Sequence, residues 1–511
     1  MNTIKNRKWW GLLAIMPALA MIFVDVSVLP VALPSIQKYL EASSLQLQWC
    51  INSYLLVTAI LVLAGGKIGD WMGHRKAFSI GMLVFAVSSA MCGLASSAFG
   101  LITARAIQGV GAALMTPAST ALLMSIFPPN ERGKATGISV SASSLFMIIG
   151  PLVGGYLTQN FSWRWIFWIN LPIALIGLLL VFIFIPRSNS RTLKFDKPGF
   201  IYFIVACSSL VILLMEGRSW GLSSSKTVSY LIFFLAGTCL LVSREKKATY
   251  PFLDLSLFKH PIFSAVNISI FSTQFIMMIT VFRAIFFQDS LDWSPMKTGV
   301  VTVLSSCPVL FLSPLGGWLS DKLGPKFPIS LGFILMIFSF IWTPIFIDSP
   351  MDLLMIGLVA FGCSIPLVLT PSYASAMGAI PPSKAGSAFG TIATIRSLSA
   401  TLGVAVLGAF IDSLQMKSLT NFAEANPLTK DLSPTLLDKI ITGSSNQILD
   451  NLPAPQSNLL STFYQEAQVR SFLISHWTIA AVLVIVFVFV FMLYHRKSKH
   501  RLPDAPAEGW D

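Results

Sequence analysis

Fourteen apolar runs recur along the chain, near 9–34, 47–66, 78–97, 99–123, 135–158, 164–186 and 199–216, then near 227–243, 262–288, 298–318, 327–347, 352–377, 386–411 and 471–494. Each is long enough, at about 1.5 Å per helical residue, to cross the ~30 Å hydrocarbon core of a bilayer or most of it. Inside hydrocarbon the chain must satisfy every backbone N–H and C=O by itself, so such runs fold as spanning helices. A transmembrane barrel is excluded because the runs are continuous and do not alternate. With 54% of its 511 residues hydrophobic and 11% charged, the chain has too little polar surface for a water-soluble globule. The predicted fold class is an all-α polytopic membrane protein, with the lipid bilayer as its first partner.

An even number of spans puts both termini on one side, and the basic residues decide which. That side collects 23 lysines and arginines, the other side 9, and three arginines lie within spans. The asymmetry predicts cytoplasmic termini in a cell inner (cytoplasmic) membrane. It also accounts for the net charge of +13 with no nucleic acid as partner. Lys5, Arg7 and Lys8 before an apolar stretch resemble a secretory signal, but the stretch continues to about Pro34 and thirteen spans follow, so it reads as an uncleaved first helix. The six cysteines fall within apolar runs as packing residues, and the five histidines lie in or near turns without metal spacing. No GxxxxGK[ST] phosphate loop occurs, which argues against ATP as the energy source. No metal and no cofactor is expected.

Two segments recur at nearly one offset. GKIGDWMGHRKAF (66–78) is echoed by GWLSDKLGPKFPI (317–329), so Asp70 and Gly73 correspond to Asp321 and Gly324, 251 positions on. FPPNERGKATG (127–137) is echoed by IPPSKAGSAFG (380–390) at 253, and Gly150 and Gly155 map onto Gly403 and Gly408 at the same offset. The repeat implies two six-helix bundles plus two extra linking helices, 14 transmembrane helices in all. Residues 1–8 form an N-terminal segment, 9–186 the first bundle, 187–261 a linker with the two additional helices, 262–494 the second bundle and 495–511 a tail. Within the second bundle, 412–470 is a long external loop, in which Ser433–Pro434 and Gly443 start and stop a short amphipathic helix. Two parallel repeats with a cavity between them make an alternating-access architecture.

Few charges lie at membrane depth. Asp25, in MIFVDVSVLPVALP (21–34), costs several kcal/mol there as an unpaired carboxylate. The same burial favours proton uptake. It is either a group that binds and releases a proton or a structural hydrogen-bonded Asp. Arg105, in LITARAIQGVGAA (101–113), falls within about 5 Å of Asp25 in depth, as a coupling partner or a fixed ion pair. The turn at 66–78, with Gly66, Asp70, Gly73 and Arg75, together with Asp321 and Gly324 of its copy, is a candidate conformational gate whose contacts across the bundle interface form in the outward-facing state, or a plain topology signal. In IIGPLVGGYL (148–157), Gly150, Pro151, Gly154 and Gly155 form a face for close helix packing. Arg283 and Arg396 either line a substrate cavity or pack with snorkelled head groups. Without deep acidic residues in the second bundle, the cavity suits neutral or anionic compounds better than multiply charged cations.

These residues resemble the fourteen-span drug:proton antiporters of the major facilitator superfamily, over nearly the whole chain. The resemblance is carried by GKIGDWMGHRK, RAIQGVGAA, GPLVGG and VDVSVLPVALP, with WRWIFWINLP (163–172) and FDKPGF (195–200) in support. It implies that Asp25 is the protonation site with Arg105 assisting, and that Asp70, Gly73 and Arg75 govern the conformational switch. It also implies that Gly150, Pro151, Gly154 and Gly155 form an antiport seal against leak. The chain departs from the usual pattern at Ser27 and Pro30, where Thr and Asn are common, at Phe146, where Gly is, and at Pro325, where a basic residue is.

The implied function is proton-coupled export of small hydrophobic or amphipathic compounds, with the proton gradient as energy source. A dedicated exporter of one metabolite or siderophore uses the same machinery and remains open, as does a periplasmic adaptor partner. A membrane-embedded enzyme or sensor would need a catalytic constellation or a sizeable soluble domain, and the sequence offers neither.

Overall fold

The computed structural model describes residues 2–128, 131–187, 196–221, 223–248, 252–380, 385–429, 436–437, 440–441 and 452–495. Fourteen helices are long and apolar enough to span a bilayer. The first eight are α1 (Lys8–Leu40), α2 (Ser44–Met72), α3 (His74–Leu94), α4 (Ala98–Ile126), α5 (Arg132–Asn160), α6 (Trp165–Phe184), α7 (Lys197–Trp220) and α8 (Ser225–Glu245). The rest are α9 (Pro261–Asp289), α10 (Pro295–Leu323), α11 (Lys326–Ile345), α12 (Met351–Ala376), α13 (Ala388–Ala425) and α14 (Ala454–Tyr494). No strand occurs among the described residues.

Short turns separate most helices because the sequence places caps there. Ser43 forms a reciprocal capping box with Gln46 at the start of α2, and Ser97, Ser224 and Ser294 cap α4, α8 and α10. Asp196 caps α7 just ahead of Pro198. The two copies of the repeated turn adopt one backbone conformation. Gly73 has φ 87° and ψ 132°, Gly324 φ 77° and ψ 159°, a region in which a side chain is strained.

The helix pairings repeat as well. In the first bundle α4 packs against α2 and α3, and α1 against α5 and α6; in the second α12 packs against α10 and α11, and α9 against α13 and α14. The inserted helices α7 and α8 pack on each other, and α7 also lies against α2 and α13.

The segment 412–470 is more helical than its polarity suggests. α13 runs on to Ala425 and α14 begins at Ala454, so with 38 and 41 residues both exceed the length a bilayer needs. Their extensions share a small apolar core around Leu419, Ala423, Leu460 and Ala467, with Leu437 and Ile440 packed between them. Ser433, Pro434 and Gly443, read as the ends of a separate helix, lie outside the described residues.

The face carrying Lys8 and Tyr494 is here the terminal face, and the opposite one the far face. Toward the far face the bundles meet. Gln288 Nε2 of α9 donates to the Val31 carbonyl of α1 (2.9 Å), and Gln48 Nε2 of α2 donates to Asp412 Oδ2 of α13 (2.9 Å). In the terminal half, α5 and α10 part around a groove lined by Lys134, Gly137, Ser141, Leu145 and Leu310.

Candidate proton-coupling site

Five helices converge on Asp25. It sits on α1 and is 1% exposed, as is Arg105 on α4, while Gln108, one turn further along α4, is fully buried. Arg105 Nη1 donates to Asp25 Oδ2 (2.5 Å) and to Gln108 Oε1 (2.7 Å), and its Nε donates to the Cys50 carbonyl on α2 (3.0 Å). Gln108 Nε2 donates to Asp25 Oδ1 (2.9 Å) and to Ser89 Oγ on α3 (2.7 Å). Asn170 Nδ2 of α6 also donates to Ser89 Oγ (3.2 Å). The Tyr54 ring of α2 lies 4.4 Å from the guanidinium, a cation–π contact on the face left free of hydrogen bonds.

The arrangement follows from the cost of burial. A carboxylate and a guanidinium removed from water are tolerated when they neutralise each other and their remaining donors and acceptors are satisfied. Here both Asp25 oxygens accept, and Arg105 has three acceptors and an aromatic face. A proton arriving on Asp25 would replace one donor and leave Arg105 an uncompensated cation, so proton binding would require a shift of Arg105. The sequence brought Asp25 and Arg105 together by depth alone; Gln108, Ser89, Tyr54 and Asn170 were not singled out. Gln108 carried a legible signal, since residues three apart share a helix face.

The glycines of α5 serve two neighbours. A Cβ at Gly150 would collide with the Ser27 hydroxyl of α1, and one at Gly154 would stand 2.9 Å from the Val28 carbonyl. Ser27 turns its hydroxyl back to the Phe23 carbonyl (2.9 Å). One position on, a Cβ at Gly155 would stand 2.6 Å from the Pro295 carbonyl of α10, and one at Gly299 of α10 would collide with the Pro151 carbonyl. One face of α5 thus seats α1 and the other closes the seam between bundles.

In the repeated turn, Asp70 Oδ1 pairs with His74 Nε2 at 3.2 Å. Arg75 Nη2 donates to the Phe182 carbonyl (3.0 Å), near the last turn of α6, where a cation is favoured. Both contacts stay within the first bundle, and the terminal side between α5 and α10 is open. Gly66 meets Pro117 only at ordinary distance, whereas a Cβ at neighbouring Gly65 would collide with the Ala113 carbonyl. Asp321 is exposed on α10.

Arg283 is buried within the second bundle, its guanidinium 5.0 Å from both the Phe340 and Phe361 rings. It packs among α11, α12 and α14 with its head group buried between these rings and not snorkelled to an interface. Its partner is a histidine expected near a turn and found instead in mid-helix. His476 of α14 is fully buried, accepts from Arg283 Nε at Nε2 (3.1 Å) and hydrogen-bonds the Phe472 carbonyl through Nδ1 (2.8 Å). That pair of contacts fixes a neutral imidazole protonated at Nδ1. Arg396 is half-buried on α13. The second bundle does hold carboxylates close to its cavity: Asp289 and Asp412, with Gln48, Tyr464 and Gln468, line a small cavity at the far face.

The family model described as Major Facilitator Superfamily matches residues 15–404. Multidrug resistance protein Stp of Mycobacterium tuberculosis (strain CDC 1551 / Oshkosh) is 32% identical over 433 residues, covering 84% of this chain and 80% of its own length. Riboflavin transporter RibZ of Clostridioides difficile (strain 630) is 32% identical over 409 residues, 79% of this chain and 88% of its own. Among solved structures, a bacterial homolog of the human lysosomal transporter Spinster, inward-facing and unoccupied, superposes with a TM-score of 0.67 at 17% identity, over 98% of this chain and 100% of that one. That likeness concerns the fold.

Proposed function

The chain belongs to the major facilitator superfamily, and we propose that it is a proton-coupled antiporter exporting small hydrophobic or amphipathic compounds across the cytoplasmic membrane by alternating access. One observation carries this reading: the only carboxylate buried in the core of the first bundle, among the described residues, is locked to a guanidinium that cannot lose its partner without rearranging. The terminal face is the cytoplasmic one in this reading, since it holds 23 of the 35 basic residues. With that face open, Asp25 is held by Arg105 and Gln108 while a compound enters between the bundles. After the switch, a proton from outside takes Asp25, Arg105 is released from it, and the bundle resets on proton loss to the cytoplasm. Energy comes from the gradient with no cofactor. Asp70, Arg75 and the α5 glycines act on the switch and the seal.

The test is gradient-driven efflux of a panel of lipophilic dyes and drugs from vesicles, comparing the parent protein with Asp25→Asn at matched expression. Loss of gradient-driven export in the variant is expected; undiminished export would remove Asp25 from the mechanism.

A second reading, dedicated transport of one metabolite, is favoured by the riboflavin transporter RibZ, whose identity to this chain equals that of Stp. No export of any compound on the panel, together with gradient-driven movement of a single metabolite, would move the assignment there.

A further inference from the structure

The two bundles keep one register of helix contacts. On α3 a Cβ at Gly81 would meet the Gly111 carbonyl, Leu114 and Met115 of α4; on α11 a Cβ at Gly332 would meet the Ser364 carbonyl, Leu367 and Val368 of α12. The repeat offsets, 251 from α3 to α11 and 253 from α4 to α12, therefore hold in three dimensions. They place Phe340 where the first bundle has Ser89, and Phe361 where it has Gln108. His476 stands against the Phe340 ring (5.3 Å) as Asn170 stands against Ser89. The second bundle thus repeats the chamber that encloses Asp25 and Arg105 in the first, with aromatic rings in place of the polar partners.

The charge inside differs. In the first bundle a guanidinium faces a carboxylate. In the second, Arg283 reaches in from α9 to lie 5.0 Å from the Phe340 and Phe361 rings, and among the described residues no carboxylate pairs with it. Its Nε donates to His476, a neutral acceptor, and its Nη2 is buried without a hydrogen-bond partner. A guanidinium taken out of water is tolerated when an opposite charge is beside it, and the rings attract it without carrying that charge. A second orphaned group lies close by. Thr343 is one turn from Phe340 on the face of α11 that meets α12, where a Cβ at Gly357 would stand 2.9 Å from its Oγ1. That hydroxyl too is buried without a partner. Buried polar atoms left unpaired by the protein call for a bound water or ion.

We infer that the second bundle binds a chloride ion, which neutralises Arg283 and accepts from its Nη2 and from the Thr343 hydroxyl. The surroundings select a small monatomic anion. Arg283 is 4% exposed and His476 fully buried. Toward the far-face cavity the chamber is shut by Phe472, stacked on Phe286 at 3.9 Å and lying against His476 at 4.0 Å. Beyond that stack the cavity is lined by Asp289 and Asp412, whose charges disfavour an anion there and leave the position beside Arg283 as the better one. A carboxylate or phosphate carried on a larger molecule would have to displace the Phe286–Phe472 stack, whereas a single halide would not. The ion balances the charge of the second bundle alone, so the inference is independent of the export reading.

The test uses the full-length protein in nanodiscs at fixed ionic strength, with chloride exchanged stepwise for gluconate. Unfolding is followed with a thiol-reactive dye that reports the buried Cys50, Cys92 and Cys207. For one ion bound only by the folded protein, each tenfold rise in chloride above its dissociation constant should lower the unfolded-to-folded ratio about tenfold. Bromide should replace chloride in this series. Arg283→Met removes the charge and should respond to neither halide, and Thr343→Val should need more chloride for the same effect. In crystals of the parent protein grown with bromide, an anomalous peak should lie within hydrogen-bond distance of Arg283 Nη2. A parent protein indifferent to chloride, an equal halide response in Arg283→Met, or a water in place of the bromide peak overturns the inference. Should Arg283→Met fail to fold, the parent's halide series and the bromide peak decide it.

Discussion

Two adjacent glycines on α5 offer a controlled experiment, because one faces the bundle interior and the other faces the seam. At Gly155 an added methyl would stand 2.6 Å from the Pro295 carbonyl oxygen and 3.0 Å from Met296 Cα on α10. The first is about 0.7 Å inside the ~3.3 Å approach of a C–H···O contact, and both neighbours are backbone, so α10 must move. Overpacking of this kind costs about 1–3 kcal/mol. In the proposed alternating-access cycle this contact parts when the far face opens, so Gly155→Ala should place that cost on one conformation and shift the balance roughly 5–150-fold toward far-face opening. At Gly154 the obstacles are Val28 of α1, whose Cγ2 is 2.6 Å away and whose carbonyl oxygen is 2.9 Å away. That contact lies within one bundle, so Gly154→Ala should lower the melting temperature and leave the conformational balance in place. The readout is a cysteine introduced at Gln37, in the far-face cavity, titrated with a membrane-impermeant maleimide in a background lacking the six native cysteines. Faster labelling in Gly155→Ala than in Gly154→Ala is expected. Equal labelling rates in the two variants would refute the division of α5 into a bundle face and a seam face.

Two further perturbations follow from the buried charges. Arg105→Ala should destabilise the protein by about 3–5 kcal/mol, because Asp25 is left buried without its ion partner. Adding Asp25→Asn should recover part of that loss, so a double-mutant cycle read by thermal unfolding in detergent must be strongly non-additive, and additive losses would contradict a tight pair. In the second bundle, His476→Ala removes the acceptor of Arg283 Nε and should cost about 1–3 kcal/mol. Arg283→Met should cost less, since it removes the buried cation itself, and the order of the two melting temperatures checks this.

The span count, the repeat and the pairing of Asp25 with Arg105 were legible in the sequence because each rests on a local rule. Apolar length marks a span, a glycine–aspartate turn marks its copy, and depth along a helix places a charge. The helical continuation of α13 to Ala425 and of α14 from Ala454 was hidden because hydropathy marks only what the bilayer covers, and these turns are held by their own small core outside it. His476 was misplaced for a related reason. Beside α14's apolar run it read as a boundary residue, whereas the Arg283 side chain brought from α9 makes its burial tolerable, a pairing 193 residues apart that no local pattern carries. The substitution of Ser27 for the more usual threonine acquires a sense only in three dimensions, where the hydroxyl folds back on α1 directly opposite Gly150.

The same contacts give the site a route to the seam. Asp25 is two and three residues from Ser27 and Val28, the two side chains of α1 that fill the notches at Gly150 and Gly154. The helix that offers those notches presents Pro151 and Gly155 to α10 on its other side. Close packing transmits small displacements because interiors lack free volume to absorb them. If Asp25 exchanges Arg105 for a proton as proposed, any rotation or shift of α1 would be delivered to α5 one residue from the backbone contacts that close the far face. The other seam, between α2 and α13, is tied to the same centre through the Cys50 carbonyl on Arg105 and through Gln48 on Asp412. Both closures of the far face thus lead back to one buried ion pair, and a proton bound there, as proposed, would bias both at once.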